Sequence, residues 1–377
     1  MSGLPICDRP VGATSGFYGR SGELRRILNC IQRGQSLAIV GGPQVGKTSL
    51  LYQIRQNQYD LFTPIYQGIK TVPVVIDMES LGGRAALLPG LIWAGISGSL
   101  MDSQIRGGAG AVEVKLPDSR RPGQLTWPDL EKALAETWKG LRGTHAWCHY
   151  ALLMDGADIF AQGEFMESLE ALFSLASHEE DWAPLSLTFA GGREFREFIL
   201  DANKPAMQKL QQLILGALKQ DEANAMVRSM LPEANARLVK EVAYLTGNHP
   251  YLLNVLLDEI IEYNLIRNLR AAADNASMRS EPLFEKIWAA IDRGRGVNYR
   301  GSYAAPEHAL MQVLMGMGEY GCTTKQAERE IGLRPLKEFA DFLVSCAVIE
   351  RSMRDNQYVL QARNMLWNDW YRQRISR

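Results

Sequence analysis

The sequence predicts an α/β domain, built on a parallel sheet with helices on both faces, followed by an all-α lid domain and a C-terminal winged-helix domain. Three observations predict it. Short apolar runs alternate with helical patterns up to residue 200, the signature of strands joined by crossover helices. After Phe198 the strand-like runs stop, and residues 205–300 carry helical spacing throughout. From residue 303, three helical patterns are followed by the hairpin-like "AVIERSMRDNQYVLQ". The expected divisions are a leader at 1–16, the sheet domain at 17–200, the lid at 201–302 and the winged helix at 303–377.

Each element has its own justification. In "GFYGRSGELRRILNCIQRG", Leu24, Ile27, Leu28 and Ile31 share one helical face, and Gly34 stops the helix. "SLAIVGG" is a short buried strand and "KTSLLYQIRQNQ" the helix after it. "TVPVVIDME" is a second strand, "HYALLMD" a third and "LSLTFAGG" a fourth. From Leu81 to Lys139 the pattern is mostly helical, interrupted at 106–124 by a Gly-, Pro- and Arg-rich stretch that reads as a loop.

The bulk numbers exclude several classes. The chain has 377 residues, is 46% hydrophobic and 22% charged, and carries a net charge of −1. That composition is globular, and it leaves no overall basic footprint for nucleic acid. The 5 cysteines are odd in number and scattered, which argues against a disulfide framework and for the cytoplasm. No secretory signal is expected at the N-terminus. Residues 85–101 carry no charge, but Pro89 and the glycines favour a helix of a globular domain over a membrane span.

"GGPQVGKT" fits G-x-x-x-x-G-K-[ST] between an apolar strand and a helix, so the fold class is an α/β P-loop NTPase. Gly41, Gly42, Pro43, Gln44, Val45, Gly46, Lys47, Thr48 and Ser49 are the expected nucleotide-binding residues. In such a loop, backbone N–H groups turn toward phosphates, and Lys47 supplies a point charge at the β/γ-phosphates. Lys47 is expected to face solvent, unpaired, when no nucleotide is bound. The Thr48 hydroxyl is a ligand for Mg2+, and the helix after it points its positive end at the same anions. The ion needs a second oxygen. Asp155, closing "HYALLMD", is the first candidate, and Asp77, closing "VVID", is the second. ATP/ADP and Mg2+ are the expected cofactors.

Gly156 follows Asp155 where many such enzymes carry a water-activating glutamate. Asp158, three residues after Asp155, is the acid expected to turn back and position water.

At this point a family resemblance becomes legible. "LLMDGADIF" resembles the Walker B box of NACHT-type NTPases and their relatives in the STAND class, the signalling branch near the AAA+ ATPases. Asp155, Gly156, Ala157 and Asp158 match in order, while Ile159 stands where a further acid is usual. The resemblance implies a slow ATPase. "FYGRSGELRRI" resembles the segment that lies along the adenine in that class, with Gly19 and Arg20 carrying the match. Its plainer reading is a helix start capped by Ser21. "LSLTFAGGREF" resembles the strand after which an arginine touches the γ-phosphate. Arg193 is the matching residue, and a solvated arginine is the alternative. "LTGNHPYLLNVLLDEI" resembles a lid segment in which Gly247 and Pro250 pack on the base. Pro250 is expected to start a helix, and His249 to cap or pack rather than to ligate.

In the last domain, Thr323 and Thr324 are expected to start the second helix, "GLRPL" to turn, and "LVSCAVIER" to leave the third helix for the wing. The third helix has little positive charge, which favours an internal switch element over a DNA reader. Arg363 occupies the region where some members of the class have a phosphate-sensing histidine. "HAWCHY" is read as packing, not as a zinc site.

The resemblance thus implies an ATP-binding, slowly hydrolysing switch. It would form a homo-oligomer when ATP-bound and signal to a separate effector protein, with a prokaryotic defence role by analogy alone. The alternative is a DNA-acting AAA+ ATPase, such as a replication initiator or transposition regulator. A third reading is a nucleotide-binding scaffold that never hydrolyses.

Overall fold

Five consecutive buried residues, Leu37–Gly41, form β1, the strand that delivers the phosphate loop. In the computed structural model the described residues are 17–56, 69–107, 122–142, 147–177, 185–201, 207, 210–292, 297–299, 302–334 and 336–376. The expected leader, most of the interruption at 106–124 and His145 lie outside them.

The first sheet contains β1, β2 (Ile69–Asp77), β3 (Trp147–Asp155), β4 (Leu185–Gly191) and β5 (Gln211–Leu215), in the order β2-β3-β4-β1-β5. Every pairing in it is parallel. β4 lies between β1 and β3, so the ends of all three converge on one edge. The connecting helices are α1 (Ser21–Gln32), α2 (Lys47–Gln56), α3 (Leu88–Gly107), α4 (Trp127–Arg142), α5 (Met166–Ser177) and α6 (Arg193–Leu200). They cover both faces, and two apolar cores result. One packs Ile92, Trp93 and Ile96 of α3 over Val72, Val74 and Ile76; the other packs Ile27 and Ile31 of α1 with Leu50 and Ile54 of α2. The uncharged stretch at 85–101 is therefore a core helix, and no described helix is long and apolar enough to cross a membrane.

The expected fold class holds, with two corrections inside 205–300: β5 and the short strand Val297–Tyr299 are not helical. β5 pairs with β1 from Leu37↔Gln211 to Gly41↔Leu215, although residues 205–300 carry a helical pattern by sequence. "LQQLILGAL" places leucines at spacings that suit either a short edge strand or a helix turn. Pairing to β1 decides between them.

The helical unit comprises α7 (Gln220–Met230), α8 (Ala236–Thr246), α9 (Pro250–Glu262), α10 (Leu269–Arg279) and α11 (Glu281–Asp292). A two-stranded ribbon, β6 (Val297–Tyr299) and β7 (Ser302–Ala304), follows. The C-terminal unit has α12 (Pro306–Met317), β8 (Cys322–Thr323), α13 (Thr324–Ile331), α14 (Lys337–Ser345), β9 (Ile349–Arg354), β10 (Gln357–Ala362) and α15 (Met365–Ile375). Its sheet order is β8-β10-β9, and Asp355 and Asn356 turn the wing with φ of 47° and 58°. That pair of left-handed residues matches the twist of a tight hairpin. Thr323 caps α13, accepting from the Gln326 N–H at 3.2 Å. The lid and the winged helix share one core, in which Leu252, Leu256 and Phe284 meet Leu310, Leu343 and Trp367.

Candidate nucleotide site

β1 leads into the phosphate loop and α2 leaves it, so the N-terminus of α2 faces the loop's concave side. Thr48 Oγ1 donates to Asp155 Oδ2 at 2.6 Å, which brings together the two predicted Mg2+ ligands. A hydroxyl and a carboxylate at that spacing are hard oxygen donors that suit Mg2+. Asp155 is partly withdrawn from water, which raises its pKa; the Thr48 hydrogen bond and the Lys47 charge oppose the rise. Asp77, the second candidate, stands level with Asp155 on the neighbouring strand. Its Oδ1 accepts the Glu79 N–H at 3.0 Å, so it closes its own turn.

Lys47 departs from expectation. Its Nζ donates to the carbonyls of Gly41 at 3.0 Å and Gly42 at 2.9 Å, folding the side chain back over the loop. Burial lowers its pKa, with Asp158 the largest opposing charge and Asp155 the next. An ammonium partly withdrawn from water needs hydrogen-bond acceptors, and the two carbonyls supply them.

Asp158 lies close to Lys47 and is already engaged. Its Oδ2 accepts the Gly192 N–H at 2.7 Å and its Oδ1 the Phe195 N–H at 3.0 Å. It caps the start of α6 from the end of the neighbouring strand. Arg193 is neither solvated nor turned to the phosphate loop. Its Nη1 pairs with Glu307 Oε1 of α12 at 3.0 Å and donates to the Ala290 carbonyl at 2.7 Å. Its Nε pairs with Glu197 at 2.6 Å, and its guanidinium stacks 4.7 Å from the Phe342 ring centre. Glu307 is 1% exposed, and burial raises its pKa against the pull of Arg193. Arg196, one turn along α6, reaches Asp341 of α14 at 3.3 Å and the Glu338 carbonyl at 2.8 Å. Two arginines of α6 thus clasp the winged helix.

Arg20 is 4% exposed and sits in a left-handed turn before α1. Ser21 is the first residue of α1 and not its cap. The Arg20 guanidinium donates to the carbonyls of Val45 at 3.2 Å, Ala217 at 3.2 Å and Gly216. It bonds the phosphate loop to the chain leaving β5, where the resemblance implied an adenine contact. Burial lowers its pKa, opposed by Glu23 and Glu222. Glu222 also accepts the Arg20 N–H at 2.8 Å, so α7 joins the same knot.

Pro250 is the first residue of α9, as its ring geometry favours. His249 caps that helix, with Nδ1 accepting the Tyr251 N–H at 3.2 Å. It is wholly buried beside Pro43 of the phosphate loop, and burial pushes its pKa down to about 3. Arg363, by contrast, pairs with Glu350 at the base of the wing.

The phosphate loop meets the C-terminal unit at Gly42. Its N–H donates to the Ser345 carbonyl at 2.9 Å. A Cβ on Gly42 would lie 2.6 Å from Cys346 Cα and 2.8 Å from its Sγ, so only glycine fits there. Burial drives the Cys346 thiol up to about 12, against the Lys47 charge. The end of α14 is therefore seated on the phosphate loop. Ser345, Cys346, Glu307, Asp341 and Glu222 were not legible as site residues. Their only signals in the sequence are helix-end positions and isolated acids.

No family model matches the chain, and no curated protein matches it in sequence. Solved structures do match in shape. The Walker-type ATPase paby2304 of Pyrococcus abyssi superposes with a TM-score of 0.62 at 14% identity, covering 97% of this chain and 98% of that one. The fold is that of a P-loop ATPase. The Aeropyrum pernix ORC1 protein in complex with DNA covers 99% of this chain and 97% of that one, but at a TM-score of 0.43 and 13% identity. The Thermotoga maritima RuvB P216G mutant covers 97% and 99%, at 0.39 and 12%.

Proposed function

We propose that this protein is an ATP-binding, slowly hydrolysing switch of the STAND type, in which the phosphate loop and the winged helix compete for each other. The observation that carries the reading is the seat of α14 on the loop: the Gly42 N–H, a group available to phosphate oxygens, is bonded to the Ser345 carbonyl at 2.9 Å. A γ-phosphate drawing on that N–H, and on the Lys47 ammonium now held by two carbonyls, would weaken the seat. Nucleotide acts on such an equilibrium only through unequal affinity for the two shapes. A thousandfold difference supplies about 4 kcal/mol.

In this reading Gly41 to Ser49 bind the phosphates. Thr48 and Asp155 hold Mg2+, which would neutralise charge on the β- and γ-oxygens. Arg193 serves the interface and not the phosphate. Gly19, Arg20 and Pro250 support the loop's rear wall, with the domain divisions near residues 200 and 302. The released winged-helix face, in the cytoplasm, would pair with another copy or with a separate effector. The groove-reading role of a winged helix is less supported, because α14 has its buried face, Ala340 to Leu343, turned into the molecule.

Calorimetry with ATP, ADP and Mg2+ tests the reading, together with light scattering under each nucleotide. Binding of both nucleotides, with a larger species under a slow ATP analogue, is expected. No binding overturns it. A mass independent of nucleotide favours the non-hydrolysing scaffold.

A further inference from the structure

We propose that Glu79, in the short turn of helix that follows β2, supplies the carboxylate that activates water for ATP hydrolysis; this deepens the ATPase reading above and rests on it. The position after Asp155 has no side chain, being Gly156. A Cβ built there would meet Glu79 Cγ at 3.1 Å and the Glu79 N at 3.6 Å. The Glu79 side chain therefore lies across the place that a residue following Asp155 would fill. Gly156 leaves the space, and the turn after β2 fills it with an acidic side chain.

Register explains how. β2 and β3 run parallel and level, with Asp77 opposite Asp155. Two residues further on, β2 has turned into the short 3-10 helix Met78–Leu81. Asp77 fixes that turn: its Oδ1 holds the Glu79 N–H at 3.0 Å, and its carbonyl accepts from Ser80 Oγ at 2.6 Å. Glu79 is thus aimed by backbone contacts and not by its own carboxylate.

The other acids near the site are engaged. Asp155 holds Thr48, Asp77 holds its turn, and both oxygens of Asp158 accept N–H groups of α6. Among the described residues, the Glu79 carboxylate has no hydrogen bond or ion pair, and it is exposed on the rim. A general base needs an uncommitted lone pair, which Glu79 retains. In the step, the water oxygen bonds to the γ-phosphorus while its proton passes to Glu79. The bond from that phosphorus to the bridging oxygen breaks, its electron pair leaves on ADP, and Glu79 returns the proton to solvent. Asp158 is a positioning residue that fixes α6.

The test uses the full chain with Glu79→Gln and Asp158→Asn, measuring single-turnover ATP hydrolysis, ATP affinity by calorimetry, and melting temperature. Glu79→Gln is expected to slow turnover by about 100-fold or more, with ATP affinity and melting temperature unchanged. Asp158→Asn is expected to lower the melting temperature while retaining more turnover than Glu79→Gln. Wild-type turnover in Glu79→Gln overturns the assignment. So does a wild type that binds ATP without hydrolysing it, and the nucleotide reading survives both results. A wild type that binds no ATP overturns that reading and this assignment with it.

Discussion

The backbone N–H of Gly42 and the carbonyl of Ser345 are 2.9 Å apart, so the phosphate loop and the end of α14 share one hydrogen bond across 303 positions of sequence (345 minus 42). The α6 arginines also hold the C-terminal unit, through Glu307 and Asp341, and His249 packs beside Pro43 of the loop.

Gly42→Ala places a methyl where Cys346 Cα lies 2.6 Å away. Backbone cannot yield as a flexible side chain can, so α14 is expected to leave its seat. Limited proteolysis should cut residues 337–346 faster in the variant than in the wild type, without any nucleotide.

Lys47→Ala is expected to abolish ATP binding and to lower stability without unfolding the domain. The two carbonyl bonds it forfeits contribute about 1–3 kcal/mol together. Calorimetry and a thermal melt check the two halves separately, and unchanged ATP affinity would sink the phosphate-loop assignment.

Arg193→Ala leaves the Glu307 carboxylate buried without its partner. Breaking a buried pair from one side costs about 3–5 kcal/mol. A fall in denaturation midpoint is expected, and the double variant Arg193→Ala with Glu307→Gln should recover part of it.

His249 is held neutral, with its pKa near 3 against an ordinary value of 6.5. The unfolded chain therefore binds the extra proton between those values. Stability from this group is full above about pH 6.5 and is lost as pH falls toward 3. Melting temperature should drop more steeply from pH 7 to 5 in the wild type than in His249→Asn, which keeps a helix-capping side chain. Equal slopes would assign the acid sensitivity elsewhere.

Much of this was legible in the sequence, because local chemistry carries it. The strand, loop and helix around Gly41 to Thr48, the strand ending at Asp155, Pro250 opening a helix and Thr323 capping one are each decided by neighbours a few residues away. β5 was not legible, since five residues of "QQLIL" suit two periods and only β1 selects one. Nor was the fate of Arg193 and Asp158. Their residue types fit phosphate and water, but Glu307 and the α6 N–H groups, reached only through the tertiary fold, claim them first. The solvent-facing Lys47 expected from the loop motif failed for the same reason: the Gly41 and Gly42 carbonyls, brought over the loop by the fold, accept from its ammonium.

Hydrogen–deuterium exchange over residues 337–346, read with ADP and with a slowly hydrolysed ATP analogue, decides whether nucleotide and α14 compete for the phosphate loop. Faster exchange in that segment with the analogue than with ADP is expected, alongside protection of residues 41–49 in both. Identical exchange at 337–346 in the two states, with the loop protected in each, would rule the competition out.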